Sequence, residues 1–190
     1  MAYDREQFEQ KLERWGSYME DFCLPNWEAL PDMELYMDQV IALVNRYLSL
    51  IPYDEMNPVI TASAVNNYVR LRMMPAPERK RYSRRHMACV IMICVLKQSL
   101  TLAEIQRILP RDMTEENIRQ TYNDFVGKMT TTTELFIDQV SEVARQVLVP
   151  GNDYGCENLV LHGAISSVLY KLLTAKLSNL QILPQTTEES

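Results

Sequence analysis

Seven basic residues, Arg70, Arg72, Arg79, Lys80, Arg81, Arg84 and Arg85, fall within sixteen consecutive positions, where the one acid is Glu78. The window carries a net charge of +6 in a chain whose total is −6, so the remainder carries −12. Cations gathered this densely on an acidic protein steer one face toward a polyanion. Overlapping this window, Ser63, Asn66, Asn67 and Arg70 recur at spacings of three and four, which places them on one side of a helix. Asparagine can bond bidentately to adenine and arginine to guanine, so this side has the groups needed to read base edges in a major groove. Arg79, Lys80, Arg81, Arg84 and Arg85 are then the expected phosphate contacts, with Arg72 in the same set. The bland reading is a solvated basic face, paired or not to the acidic N-terminal helices. The order of helix, short basic turn and second helix favours double-stranded DNA as the partner.

Several elements must position these residues. Residues 4 to 22 read as an acidic amphipathic helix with Phe8, Leu12, Trp15 and Met19 along one side. Asp32 is expected to cap a helix to about Leu50, with Tyr36, Val40, Leu43, Val44, Tyr47 and Ile51 as its apolar stripe. The stretch IPYDEMNP is a loop. Thr61 caps a helix to about Arg72, stopped by Pro75 and Pro77. Tyr82 is expected to pack beneath the basic turn. Ser83 then opens a segment, MACVIMICVL, that is apolar all round; its cap and its length favour a buried helix over a strand.

Thr101 and Glu104 form a capping box for a short helix ended by Pro110. Thr114 starts another, the run Thr130 to Thr133 is expected to interrupt it, and Glu134 begins the next. A last helix from about Glu157 to Leu180 is apolar over a wide arc: Leu161, Ile165, Val168, Leu169, Leu172 and Leu173. The tail QTTEES is expected to fray. No internal repeat is evident and the fold class is all-α. The domain reading is an acidic N-terminal helix and linker (1–31), a helix-turn-helix domain (32–113) and a C-terminal helical module (114–190). That module has more apolar surface than three short helices usually bury, which leaves two uses open: a homodimer interface or an intramolecular bundle.

Composition narrows the classes. An apolar fraction of 47% can fill a core, and five glycines are few for a turn-rich β fold. The longest apolar run, Met87 to Leu96, is half the ~20 residues needed to span a bilayer, and Met1 is not followed by a basic-then-apolar leader, so a cytoplasmic protein with no membrane partner is expected. Cys23, Cys89, Cys94 and Cys156 form no CxxC pair; Cys89 and Cys94 are expected in the core, and Cys156 could be exposed. No metal-ligand set, cofactor motif or catalytic constellation is legible, so no enzyme is expected. His86 reads as a first-turn surface residue and His162 as an interior one.

The text from Ile60 to Leu109 resembles the DNA-binding half of MerR-type regulators, whose recognition helix has the form S-V-R-T-L-R-Y-Y-E-R-x-G-L-L-P. Here TASAVNNYVRLRMMP sets Thr61 at the cap, Val65 at the core leucine, Tyr68 at the second tyrosine, Arg70 at the arginine and Met73-Met74-Pro75 at L-L-P. Lys80-Arg81-Tyr82-Ser83 follows as the wing's end, R-x-Y-S, and Thr101-Leu102-Ala103-Glu104-Ile105 as S-L-x-E-I. The resemblance implies a winged helix-turn-helix with a minimal wing plus additional N- and C-terminal helices.

Departures from the pattern are Ser63 in place of a phosphate-contacting arginine, Asn67 in place of the first tyrosine, and a wing of six residues without glycine. No metal-sensing cysteine set follows, and three shorter helices are expected where those regulators have one long dimerising helix. Over most of its length, through LPNWEALPDMELYMDQVIALVNRYL and NNYVRLRMMPAPERKRYSRRH, the chain is also similar to an uncharacterised Gram-positive bacterial family catalogued as domain of unknown function 1836. The expected function is a sequence-specific transcriptional regulator. The alternatives are a helical interaction adaptor that keeps the fold without DNA binding, and a regulator whose C-terminal helices hold a small-molecule effector. The acidic N-terminal part could also fold over the basic face as a cover, against the simpler reading of a solvated outer surface.

Overall fold

The computed structural model describes residues 3–49, 51 and 58–178. Among these, the architecture is seven α-helices and one 3-10 turn, with β-type pairing limited to two isolated bridges. The loop expected at residues 51–58 and the expected frayed tail lie almost wholly outside the described residues.

Helix α4 (Arg84–Leu96) is the centre of the molecule. Every residue from His86 to Cys94 is buried, as an all-round apolar helix requires, and α2, α5 and α6 pack around it. Burial pushes the Cys89 and Cys94 thiols up to about 12, which removes their reactivity near neutral pH. The core extends from Leu24, Trp27 and Leu30 through Val40, Val44, Val65 and Tyr68 to Ile105, Ile118 and Tyr122.

Local signals start most helices where the sequence placed them. Asp4 caps α1 (Arg5–Asp21) by accepting from Gln7 N–H at 3.0 Å, and Thr61 caps α3 (Ala62–Arg70) through Ala64 N–H at 3.2 Å. The Thr101–Glu104 box opens α5 (Leu102–Ile108) with reciprocal bonds of 2.8 and 3.3 Å. Helix α2 (Met37–Tyr47) departs from expectation, starting five residues after Asp32. Leu35 is extended instead, exchanging both backbone hydrogen bonds with Tyr82 at 2.8 and 2.9 Å. Gln39 then reaches back to the Tyr36 N–H at 2.9 Å.

The threonine run does not break the chain. Helix α6 (Glu115–Val147) is continuous for 33 residues, about 50 Å at 1.5 Å per residue. Thr130 Oγ1 donates to the Val126 carbonyl at 3.1 Å, and Thr133 is buried. Packing of α6 on α1, α4 and α7 outweighs the modest helix propensity of threonine. Two helices therefore stand where three were expected, the second being α7 (Gly155–Ser178). It returns along α6: a side chain at Gly155 would collide with the Val147 carbonyl, and Ser178 reaches Glu104 and Arg107 of α5.

Three further expectations change. Cys156 is buried at the start of α7, close to Arg5 and Glu9 of α1. His162 is exposed, because α7 turns that side away from α6. His86 is buried at 2%, its Nδ1 accepting from Ser83 N–H at 2.9 Å and its Nε2 lying 3.4 Å from the Ala76 carbonyl. None of the helices among the described residues is long and apolar enough to cross a membrane.

Candidate nucleic-acid interface

Helix α3 buries Val65 and Tyr68 and leaves Ser63, Asn66 and Arg70 exposed, with Asn67 half-buried. The Arg70 guanidinium donates to Asn67 Oδ1 at 2.7 Å, which aligns the two along the outer side. The helix ends in a Schellman motif: Met73 N–H bonds to the Tyr68 carbonyl at 2.9 Å and Arg72 N–H to the Val69 carbonyl at 3.0 Å. That closure requires a left-handed residue, usually glycine. Here it is Arg72, with φ at +55°.

The basic turn is a two-residue hairpin. Glu78 and Arg81 pair, with Arg81 N–H on the Glu78 carbonyl at 2.8 Å, and Arg79 and Lys80 at the tip have φ of +48° and +62°. Two consecutive left-handed residues match a type I′ turn, which favours Asn-Gly because a Cβ crowds the neighbouring carbonyl. Strain of this kind costs roughly 1–2 kcal/mol per residue. Among the described residues, Arg72, Arg79 and Lys80 are the non-glycine residues with positive φ. All three are basic, exposed and outside any ion pair formed among those residues.

The other cations sit differently. Tyr82 is buried beneath the hairpin, as expected, edge-on to the His86 ring at 5.5 Å between centroids. Arg81 stacks over the Tyr36 ring, its guanidinium carbon 3.7 Å from the centroid. Arg85 pairs with Glu78 at 3.2 Å, across the base of the turn. Arg84 has a side chain only 16% exposed and lies between Glu28 at 3.4 Å and Asp32 at 3.6 Å, with Trp27 beside it. Glu28 also binds Arg119 of α6 at 2.7 Å. Arg84 therefore clasps the segment ahead of α2 onto α4 and α6.

Sequence reasoning placed the cations in one window but did not separate tip from clasp, and it missed Tyr36, Glu28 and Asp32 as partners. One signal was legible: Arg72 stands where the resembling pattern has its glycine. Of the acidic N-terminal part (residues 1–57) weighed as a cover, helix α1 is packed on α6, with Arg5 donating to the Leu148 and Val149 carbonyls at 2.6 and 3.1 Å, while Glu28, Asp32 and Tyr36 lie against Arg84 and Arg81. Among the described residues no group of three or more His, Cys, Asp or Glu is placed to hold a metal ion.

These features define an all-helical protein built on a buried central helix, with a strained basic hairpin set between α3 and that helix. The chain belongs to the family described as domain of unknown function DUF1836, whose model matches residues 25–125. The match begins at the segment that Arg84 clasps and ends a third of the way along α6, so it spans nearly the same residues as the core. No curated protein and no solved structure matches the chain.

Proposed function

We propose that this protein is a sequence-specific DNA-binding regulator, with α3 entering the major groove and the hairpin tip against the phosphate backbone. The supporting observation is the set of three cations, Arg72, Arg79 and Lys80, held in left-handed backbone where glycine would relieve the strain. Strain that persists in a folded protein clusters at functional sites, and here its common product is unpaired positive charge beside the outer side of α3. On this reading Ser63, Asn66, Asn67 and Arg70 face base edges, and Arg72, Arg79 and Lys80 take phosphates. Arg81 and Arg85 fix the hairpin and flank it, and Arg84 contributes through the clasp. The short wing and the order of elements accord with the MerR-like resemblance.

The test is selection of the purified protein on a random-duplex library at two salt concentrations, followed by sequencing. An enriched motif is expected, with retention that falls steeply with salt. Absence of retention at low salt would overturn the reading in favour of the interaction adaptor, for which the exposed apolar side of α7 is the favouring observation.

A further inference from the structure

Helix α7 is apolar on the side that faces away from its own chain. It packs on α6, where Tyr170 donates to Gln139 at 3.5 Å, and Leu159, Ser166 and Thr174 along it are buried or half-buried. On the opposite side Leu161, Ile165, Val168, Leu169 and Leu172 follow the 0, 4, 7, 8, 11 spacing of a buried face, yet each is 50–62% exposed. Val160 and Leu173, also about half exposed, flank this face, while Tyr170 lies toward α6.

We infer that this face binds a second copy of the same chain, α7 against α7, antiparallel across a two-fold axis near Ser166 and Ser167. The spacing of Leu161, Ile165, Val168 and Leu172 is four, three, four, which reads identically in both directions. Antiparallel pairing therefore sets Leu161 against Leu172 and Ile165 against Val168 of the other copy, as an isologous interface requires. Charge agrees with that direction. Glu157 lies at the start of α7 and Lys176 near its end, so the same register brings each Lys176 opposite Glu157 of the second copy; parallel pairing would set like on like. The inference does not depend on DNA binding, although a dimer would also present two α3 helices to two half-sites.

Sedimentation equilibrium of the full chain tests it. The expected mass is twice the 22.1 kDa of the monomer, and I165E with L172E should weaken association at least a hundredfold with helical ellipticity unchanged. A wild-type monomer at tens of micromolar, or a dimer insensitive to both substitutions, would overturn it. Register is tested independently of that variant's folding by mixing Leu161→Cys and Leu172→Cys proteins in a Cys23→Ser background. Oxidation should link one variant to the other and neither to itself; self-linkage of Leu161→Cys would refute the two-fold arrangement.

Discussion

Leu35 and Tyr82, 47 positions apart, exchange both of their backbone hydrogen bonds, at 2.8 and 2.9 Å. This one antiparallel bridge joins the chain ahead of α2 to the base of the basic hairpin. It also brings Tyr36 under Arg81, so the pairing sets both the start of α2 and the stacking that steadies the hairpin. The strained tip is thus anchored by contacts from a distant segment rather than by its own two residues.

Replacing Arg79 and Lys80 together by glycine should stabilise the protein and weaken DNA binding at once. Relief of the left-handed strain exceeds the added entropy of the unfolded chain, for a net gain on the order of 1 kcal/mol. Loss of two phosphate contacts should lower the slope of log affinity against log salt by about two. Urea denaturation and salt titration of a selected duplex measure the two effects. An unaltered slope would remove both residues from the contact set.

Arg84→Ala should show the reverse pattern. The side chain is mostly buried and its partners Glu28 and Asp32 are exposed, so the loss combines stem packing beside Trp27 with weak ion pairs, about 1–2 kcal/mol in all. The urea midpoint should fall while the salt slope of DNA affinity stays as in the parent protein.

His86 makes stability depend on pH. Burial lowers its pKa below the ordinary 6.5, ahead of an opposing contribution from its bond to the Ala76 carbonyl. Below pH 6.5 the unfolded chain therefore binds a proton that the folded state resists, and stability falls as the pH drops. The contribution is complete above that value. Urea midpoints at pH 7.5 and pH 5.5 should differ in this direction, and His86→Gln should flatten the difference.

Thr131 and Thr132 are exposed on a continuous helix, so changing both to alanine should raise stability by about 0.5 kcal/mol each and increase helical ellipticity slightly. No gain in either measure would indicate that α6 is interrupted there.

Short-range chemistry was legible in the sequence wherever neighbours a few positions apart decide the outcome. The caps at Thr61 and Thr101 satisfy the first N–H groups of their helices, and MACVIMICVL has no polar side to offer solvent, so it had to be interior, with its length favouring helix over strand. The candidate DNA-facing residues of α3 were visible for the same reason: helical spacing separates Ser63, Asn66 and Arg70 from Val65 and Tyr68. Tertiary structure alone decided the features that depend on distant partners. Leu35 left the expected helix for Tyr82, the threonine run stayed helical because α1, α4 and α7 pack on α6, and Arg84 turned from the presumed phosphate face to Glu28 and Asp32. His86 went inside because Ser83 and Ala76 supply its ring nitrogens with partners. Local spacing specifies which side of a helix is apolar; which neighbour covers that side, and which charges are neutralised on the way, follows from contacts between segments far apart in the chain.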